Sequence, residues 1–407
     1  MEIALVSLLS EFNDSERINE TLADIYESFN ENFEIIEIEA EDVPYHDFSE
    51  YDLTINFVKS GGSENIFADI YNYLPRPIYL FATELHNSLP AALEILSFVK
   101  GKGENAKILH GEMENIIPEI KKWAEYKEVR QNIAEARIGI IGTPSDWLIG
   151  SEVDYEHAGH HWGTQFVEVE LEEVYDLLAE IKLNQAEETA DKFAEKAEKM
   201  VENSRSDLVE AAKIYLALQK IAEKYDLTAL TVRCFDLVQK LTSTGCLALS
   251  ELNNQGIIAG CEGDVPAVFT MLLAYELTSQ IPFMANPAAI DSERDEILFA
   301  HCTIATDITE KYYLRSHFET GIGVGIQGIM EEGPVTVFKI GGHGLEQYFA
   351  AEGRIIDNLE SPNACRTQLK VELPASSDYF LEDSIGNHHL IIPGSHTDKI
   401  NEFLGME

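Results

Sequence analysis

Residues 256–277 read GIIAGCEGDVPAVFTMLLAYEL. The apolar run that ends at Cys261 has the length of a buried strand, and the run from Val265 has the length of a buried helix. Between them stand Glu262 and Asp264, with Gly263 separating them. Charge at such a handover is costly unless something pairs with it. A strand feeding a helix is the repeating unit of a parallel sheet, and in open parallel sheets ligands sit beyond the carboxyl ends of the strands. Asp264, followed by Val-Pro and a helix, reads as that helix's cap. Glu262, flanked by Cys and Gly, is a poorer cap and reads as a functional carboxylate.

The same alternation extends outward. Residues 136–150, ARIGIIGTPSDWLIG, are a strand breaking into a polar loop. Residues 164–181 read as strand then helix, and 184–225 as two helices broken near ENSRSD. LTALTVRCFDL (227–237) reads as another strand, and SELNNQ (250–255) as turns. Before residue 134, EIALVSLL, YDLTINFV and RPIYLFAT are strands between helical segments. Beyond Pro287 the texture changes to short strands joined by Gly, Pro and Asn: ILFAHCTI, GPVTVFKIGG, RIIDNL, QLKVEL and HHLIIPG. The expected architecture is α/β: two Rossmann-like doubly wound domains, 1–134 and 135–290, then a C-terminal antiparallel, barrel-like β domain, 291–407.

Composition narrows the function. The 407 residues hold 72 acids against 29 bases, a net charge of −43, which repels phosphate backbones and anionic membranes. Nucleic acid is therefore excluded as a partner. No apolar run approaches the roughly 20 residues of a membrane span. Five scattered cysteines with no CxxC pair imply a reducing compartment, and the acidic start MEIALVSLLS reads as a strand and not a signal peptide. A cytoplasmic location is expected.

Three strand ends of the second domain offer Ser145, Asp146, Asp236 and Glu262. Of twelve histidines, eight fall at 157/160/161, 301, 343 and 388/389/396. His388 and His389 would point to opposite faces of a strand, so at most one faces a site. Carboxylates with imidazoles suit a divalent metal such as Mn²⁺. EHAGHHWG (156–163) reads as a surface loop, and TGIGVGIQG (320–328) as turns between strands, not a dinucleotide loop.

In order, TVRCFDL, GIIAGCEGDVPAVFTMLL, PFMANPAAID, AHCT and NHHLIIPG resemble the L-fucose isomerase and L-arabinose isomerase superfamily over residues 135–407. The resemblance implies a Mn²⁺-dependent aldose–ketose isomerase with sites between the subunits of a homotrimer or homohexamer. It places Glu262 on a metal carboxylate and His388 on the C-terminal metal histidine, with His301 a ligand or near neighbour. In that superfamily a second carboxylate follows the phenylalanine of the segment matching FMANP. Here Ala285 and Asn286 stand there. The second proton-transfer role then falls to Asp236, with Asp291 the weaker candidate, and Asn286 offers a neutral amide oxygen. Ser145, Trp147, Asn286 and His389 are the expected sugar contacts, with Trp147 a stacking platform. By the same analogy His86 and Asn87 would reach a neighbouring subunit's site. Two other readings stand beside the isomerase: a different metal-assisted carbohydrate enzyme (epimerase or lyase), and a non-catalytic sugar-binding protein.

Overall fold

Five parallel strands form the first sheet: β1 (Glu2–Leu8), β2 (Glu34–Glu39), β3 (Leu53–Val58), β4 (Ile78–Ala82) and β5 (Ala106–Leu109), in the order β2-β1-β3-β4-β5. Every residue of β3 and β4 is buried, as expected of strands covered on both faces. The computed structural model describes residues 1–374 and 378–405. It divides into Met1–Arg130 with the C-terminal residues from Glu402, and Gln131–Asn401.

The second unit carries two architectures. A parallel sheet of β6 (Arg137–Ile141), β7 (Gln165–Val169), β9 (Ala229–Val232) and β10 (Ile258–Cys261) runs in the order β10-β9-β6-β7. A closed antiparallel barrel is built from β11 (Phe283–Asp291), β12 (Glu296–His301), β15 (Gly333–Gly341), β16 (Gln347–Asn358), β17 (Thr367–Glu372) and β18 (His389–Pro393). Around the barrel the order is β11-β12-β17-β16-β15-β18. The short strands β8 (Lys199–Met200), β13 (Lys311–Arg315) and β14 (Gly325–Ile329) make a third sheet.

One helix joins sheet to barrel. Val265–Thr278 is apolar nearly all round, and it packs on β9 and β10 on one side and on β15 and β18 on the other. Its approach is close. A Cβ on Gly260 would lie 2.2 Å from the Val268 side chain, so β10 needs glycine there. Thr270 fixes the other side by accepting a hydrogen bond from the Ile340 amide at 3.0 Å.

Four local readings change. RCFDL is not a strand: β9 stops at Val232, and Cys234–Leu241 is a helix that buries Cys234 and Leu237 at i, i+3. Asp236 therefore lies in a first helical turn. All of SELNNQ but Gln255, which caps it, belongs to the helix Cys246–Asn254, where even Ser250, Glu251 and Asn253 are buried. EHAGHHWG is the helix Tyr155–Trp162, because the Asp154 carboxylate accepts from two first-turn amides and Gly163, at φ 80°, closes it. The second half of TGIGVGIQG is strand β14, not turn.

Candidate metal centre

Immediately after β10 the chain turns through two left-handed residues, Glu262 at φ 66° and Gly263 at φ 72°. That conformation costs a non-glycine residue roughly 1–2 kcal/mol. It is held by the loop after β6: the Ser145 amide donates to the Glu262 carbonyl at 3.0 Å. Gly263 itself must be glycine, since a Cβ would come within 2.7 Å of Pro144 Cα. Asp264 then caps the helix, accepting from the Ala267 amide at 2.9 Å, as the sequence predicts.

The turn presents Glu262 to two barrel histidines. His301 ends β12 and His388 directly precedes β18. Ligand atoms of Glu262, His301 and His388 all lie within 4.8 Å of one another, the one such group of three or more among the described residues. Glu262 Oε1 stands 3.7 Å from His388 Nε2, too far for a hydrogen bond. His388 Nε2 is buried with no hydrogen-bond partner. His301 Nδ1 is paired with the Thr303 hydroxyl at 2.9 Å, which leaves its Nε2 free. A buried, unpartnered imidazole nitrogen between a carboxylate and a second imidazole fits a divalent cation.

Outer partners fix these groups. His388 Nδ1 meets Asp264 Oδ2 at 2.8 Å, which favours a proton on Nδ1, so that Nε2 is the atom an ion would take in exchange for its proton. Asp264 Oδ1 lies 4.0 Å from Lys339 Nζ, and both side chains are 0% exposed. The Trp147 indole N–H donates to Glu262 Oε2 at 2.6 Å. Burial alone would pull His388 down, but Asp264 and Glu262 outweigh it and hold its pKa up at about 9. Burial pushes Glu262 up, yet His388, His301 and the Trp147 hydrogen bond hold it at about 2. Burial drives His301 down to about 3, so it is a neutral imidazole, the form that binds metal.

The other expected residues are placed as follows. Trp147 is half-exposed, edge-on to Phe235, and engages Glu262 directly. Ser145 is buried beside Glu262 with its hydroxyl unpartnered. Asn286 lies on β11 on the same face as Met284, whose sulfur approaches Gly260, and its amide oxygen is buried without a partner. Asp236 and Asp146 are not in the group of candidate ligands, and Arg233 pairs with them at 3.1 and 3.0 Å. Asp291 pairs with Arg294 at the far end of β11. His389 points away from His388, as strand alternation requires, and both its ring nitrogens are engaged, by Tyr379 OH and the Asn387 carbonyl, each at 2.9 Å. It has no nitrogen left for a sugar. The histidines at 157, 160 and 161 are exposed on their helix.

Two residues escape the sequence reading. Asp264 is more than a cap, because it also orients His388. Lys339 is its buried counter-charge, and the available signal was a lone lysine in the otherwise apolar strand TVFKIG.

Fold and site together define an α/β protein with a candidate divalent-metal centre at a parallel strand end, completed by a β-barrel. By sequence, the chain is 23% identical over 286 residues to the sulfoquinovose isomerase of Alkalicoccus urumqiensis, covering 67% of this chain and 63% of the relative. It is 25% identical over 261 residues to the sulfoquinovose isomerases of Priestia aryabhattai and Priestia megaterium, covering 61% of this chain and 57% of each relative. The match thus spans less than two thirds of these relatives' length. No protein-family model matches the chain.

Proposed function

We propose that this protein is a divalent-metal-dependent sugar isomerase, interconverting an aldose and a ketose through an enediol. One observation carries the reading: Glu262, His301 and His388 converge within 4.8 Å at the end of β10. Similarity to curated sulfoquinovose isomerases supports it. Glu262, His301 and His388 would hold the ion, Mn²⁺ in the first instance, with the Asn286 amide oxygen a neutral fourth donor. Such an ion polarises the substrate's carbonyl and hydroxyl oxygens. We further propose assembly as a homotrimer or homohexamer.

The protein's own groups supply position and proton transfer. Trp147 orients Glu262 and offers its exposed ring to the sugar, and Ser145 offers a hydroxyl. Asp264 keeps His388 in the ligating tautomer. The second proton-transfer role, left open by Ala285 and Asn286, we assign to His317 in place of Asp236. Asp236 is committed to Arg233. His317 is half-buried, with Nδ1 on the Thr320 hydroxyl at 3.1 Å and its ring edge-on to Phe235, which itself packs against Trp147. Burial and Arg366 pull its pKa down against the pull of Glu262, so it is a neutral base at pH 7.

The test follows deuterium at C2 by proton NMR in D₂O, with metal-stripped and Mn²⁺-reloaded protein and a panel of aldoses that includes sulfoquinovose. Expected is Mn²⁺-dependent exchange with ketose formation, lost in Glu262→Gln. His317→Gln should lower kcat far more than Asp236→Asn. Absence of exchange with every sugar, despite bound metal, would refute the isomerase. The missing second acid also keeps an epimerase in view, and a new aldose in place of a ketose would reveal it.

A further inference from the structure

All five cysteines of the chain are free thiols in the second unit, drawn from five separate segments. Four of them are buried. Buried cysteine is often a small apolar filler. One pair exceeds that role: Cys234 Sγ and Cys261 Sγ are 2.8 Å apart. Bonded sulfurs are about 2.05 Å apart, so the two thiols stand within bonding reach of each other. Among the described residues no third ligand joins the pair into a metal site.

The position of Cys261 makes closure consequential. It is the last residue of β10, directly before the left-handed Glu262. Its carbonyl accepts from the Asp264 amide at 3.2 Å and the Thr231 hydroxyl at 3.3 Å. Drawing its side chain toward Cys234 therefore acts on the turn that sets both Glu262 and Asp264.

We propose that Cys234 and Cys261 form a peroxide-oxidisable pair whose closure to a disulfide weakens divalent-metal binding at Glu262. One thiol takes an oxygen from a hydroperoxide to give a sulfenic acid, and hydrogen peroxide leaves as water. The partner sulfur then attacks, the S–S bond forms, and a second water leaves. Two thiols lose two electrons and two protons, and the peroxide is reduced. A thiol reductant reverses the closure. The effect on metal rests on Glu262 being a ligand, whereas formation of the disulfide does not.

The experiment uses the full chain, reduced and metal-free. Mn²⁺ affinity is measured by electron paramagnetic resonance before and after hydrogen peroxide, and again after dithiothreitol. Peptide mapping without reduction identifies the linked cysteines. Expected are a Cys234–Cys261 crosslink and a Mn²⁺ Kd raised about tenfold, the scale of a disturbed ligand support, both reversed by reductant and both absent in Cys234→Ala and Cys234→Ser. Two variants guard against one failing to fold. Oxidation confined to the half-buried Cys365, with Cys234 and Cys261 still free, overturns the pair. A crosslink that leaves the Mn²⁺ Kd unchanged overturns the coupling. Reduced protein that binds no Mn²⁺ removes the metal reading and the coupling with it, and the peptide map then decides the pair alone.

Discussion

Asp264→Asn isolates the charge beneath the candidate metal centre. Asparagine keeps the size and the acceptor for the Ala267 amide, and it caps a helix about as well as aspartate. What disappears is the negative charge 2.8 Å from His388 Nδ1 and 4.0 Å from Lys339 Nζ. Lys339 is fully buried, and its Nζ has no hydrogen-bond partner. Removing one member of such a pair costs about 3–5 kcal/mol. Lys339 can limit that cost by releasing its proton, a release burial already favours. From an unfolded pKa of about 10.4 that limit is about 4.6 kcal/mol at pH 7 and about 2 kcal/mol at pH 9. His388 acts in the same sense. Its pKa is raised to about 9, so in metal-free protein its contribution is full below its unfolded value near 6.5 and is lost as pH rises through 9. The variant should thus be most damaged at neutral pH and recover as pH rises. Lys339→Met in the same chain should restore most of the lysine's share. Urea denaturation of the metal-free single and double variants at pH 7 and 9 measures this cycle. A loss under about 1 kcal/mol at pH 7, or an equal loss at both pH values, or no rescue by Lys339→Met, would refute the buried-pair reasoning.

Trp147→Phe keeps the ring but removes the donor to Glu262 Oε2. Because Trp147 is half-exposed, water replaces part of the bond, and metal affinity should fall by about fivefold, or ~1 kcal/mol, by titration. Gly263→Ala forces a Cβ into Pro144 at φ 72° and should destabilise the protein by about 2 kcal/mol or more in urea. Glu202 is held at about 2, chiefly by its hydrogen bonds from Arg315, against burial. A depressed carboxylate stabilises above its unfolded value near 4.5 and loses that contribution as pH falls toward 2. Acid unfolding of Arg315→Met should therefore differ from the parent above pH 4.5 and converge with it near pH 2.

The sequence exposed Glu262 because charge between a buried strand and a buried helix is conspicuous. It could not reveal what surrounds Glu262, since His301, His388 and Lys339 arrive from distant strands whose meeting depends on closure of the barrel. The superfamily resemblance supplied the two histidines and had nothing to say of Lys339. Asp236 was misplaced by a local ambiguity. The apolar run of β9 continues into Cys-Phe, but Arg233 ends the strand, and Cys234 with Leu237 take helical spacing. Its carboxylate then falls to Arg233 and not to the cluster. In EHAGHHWG the polar and glycine content suggested a loop, whereas the Asp154 cap and the Gly163 stop define a helix turn by turn. His389 shows the reverse case: alternation correctly required one histidine to face away, without saying which.

The three candidate ligands come from both architectures of one unit, Glu262 from the parallel sheet and His301 and His388 from the barrel. An ion at this point cross-braces sheet to barrel, so its binding free energy adds to the stability of Gln131–Asn401. At a free ion concentration of 100 Kd that amounts to about 2.7 kcal/mol. For a unit of this size each kcal/mol moves the melting point by about 2–4 °C, so chelation should lower it by roughly 5–10 °C. No candidate ligand lies in Met1–Arg130, so its transition should stay in place. Scanning calorimetry with Mn²⁺ and then with EDTA reads both, and Glu262→Gln should abolish the shift. A shift shared equally by both transitions, or one that survives Glu262→Gln, would mean that the stabilising ion binds elsewhere and that the unpartnered nitrogen of His388 is not its ligand.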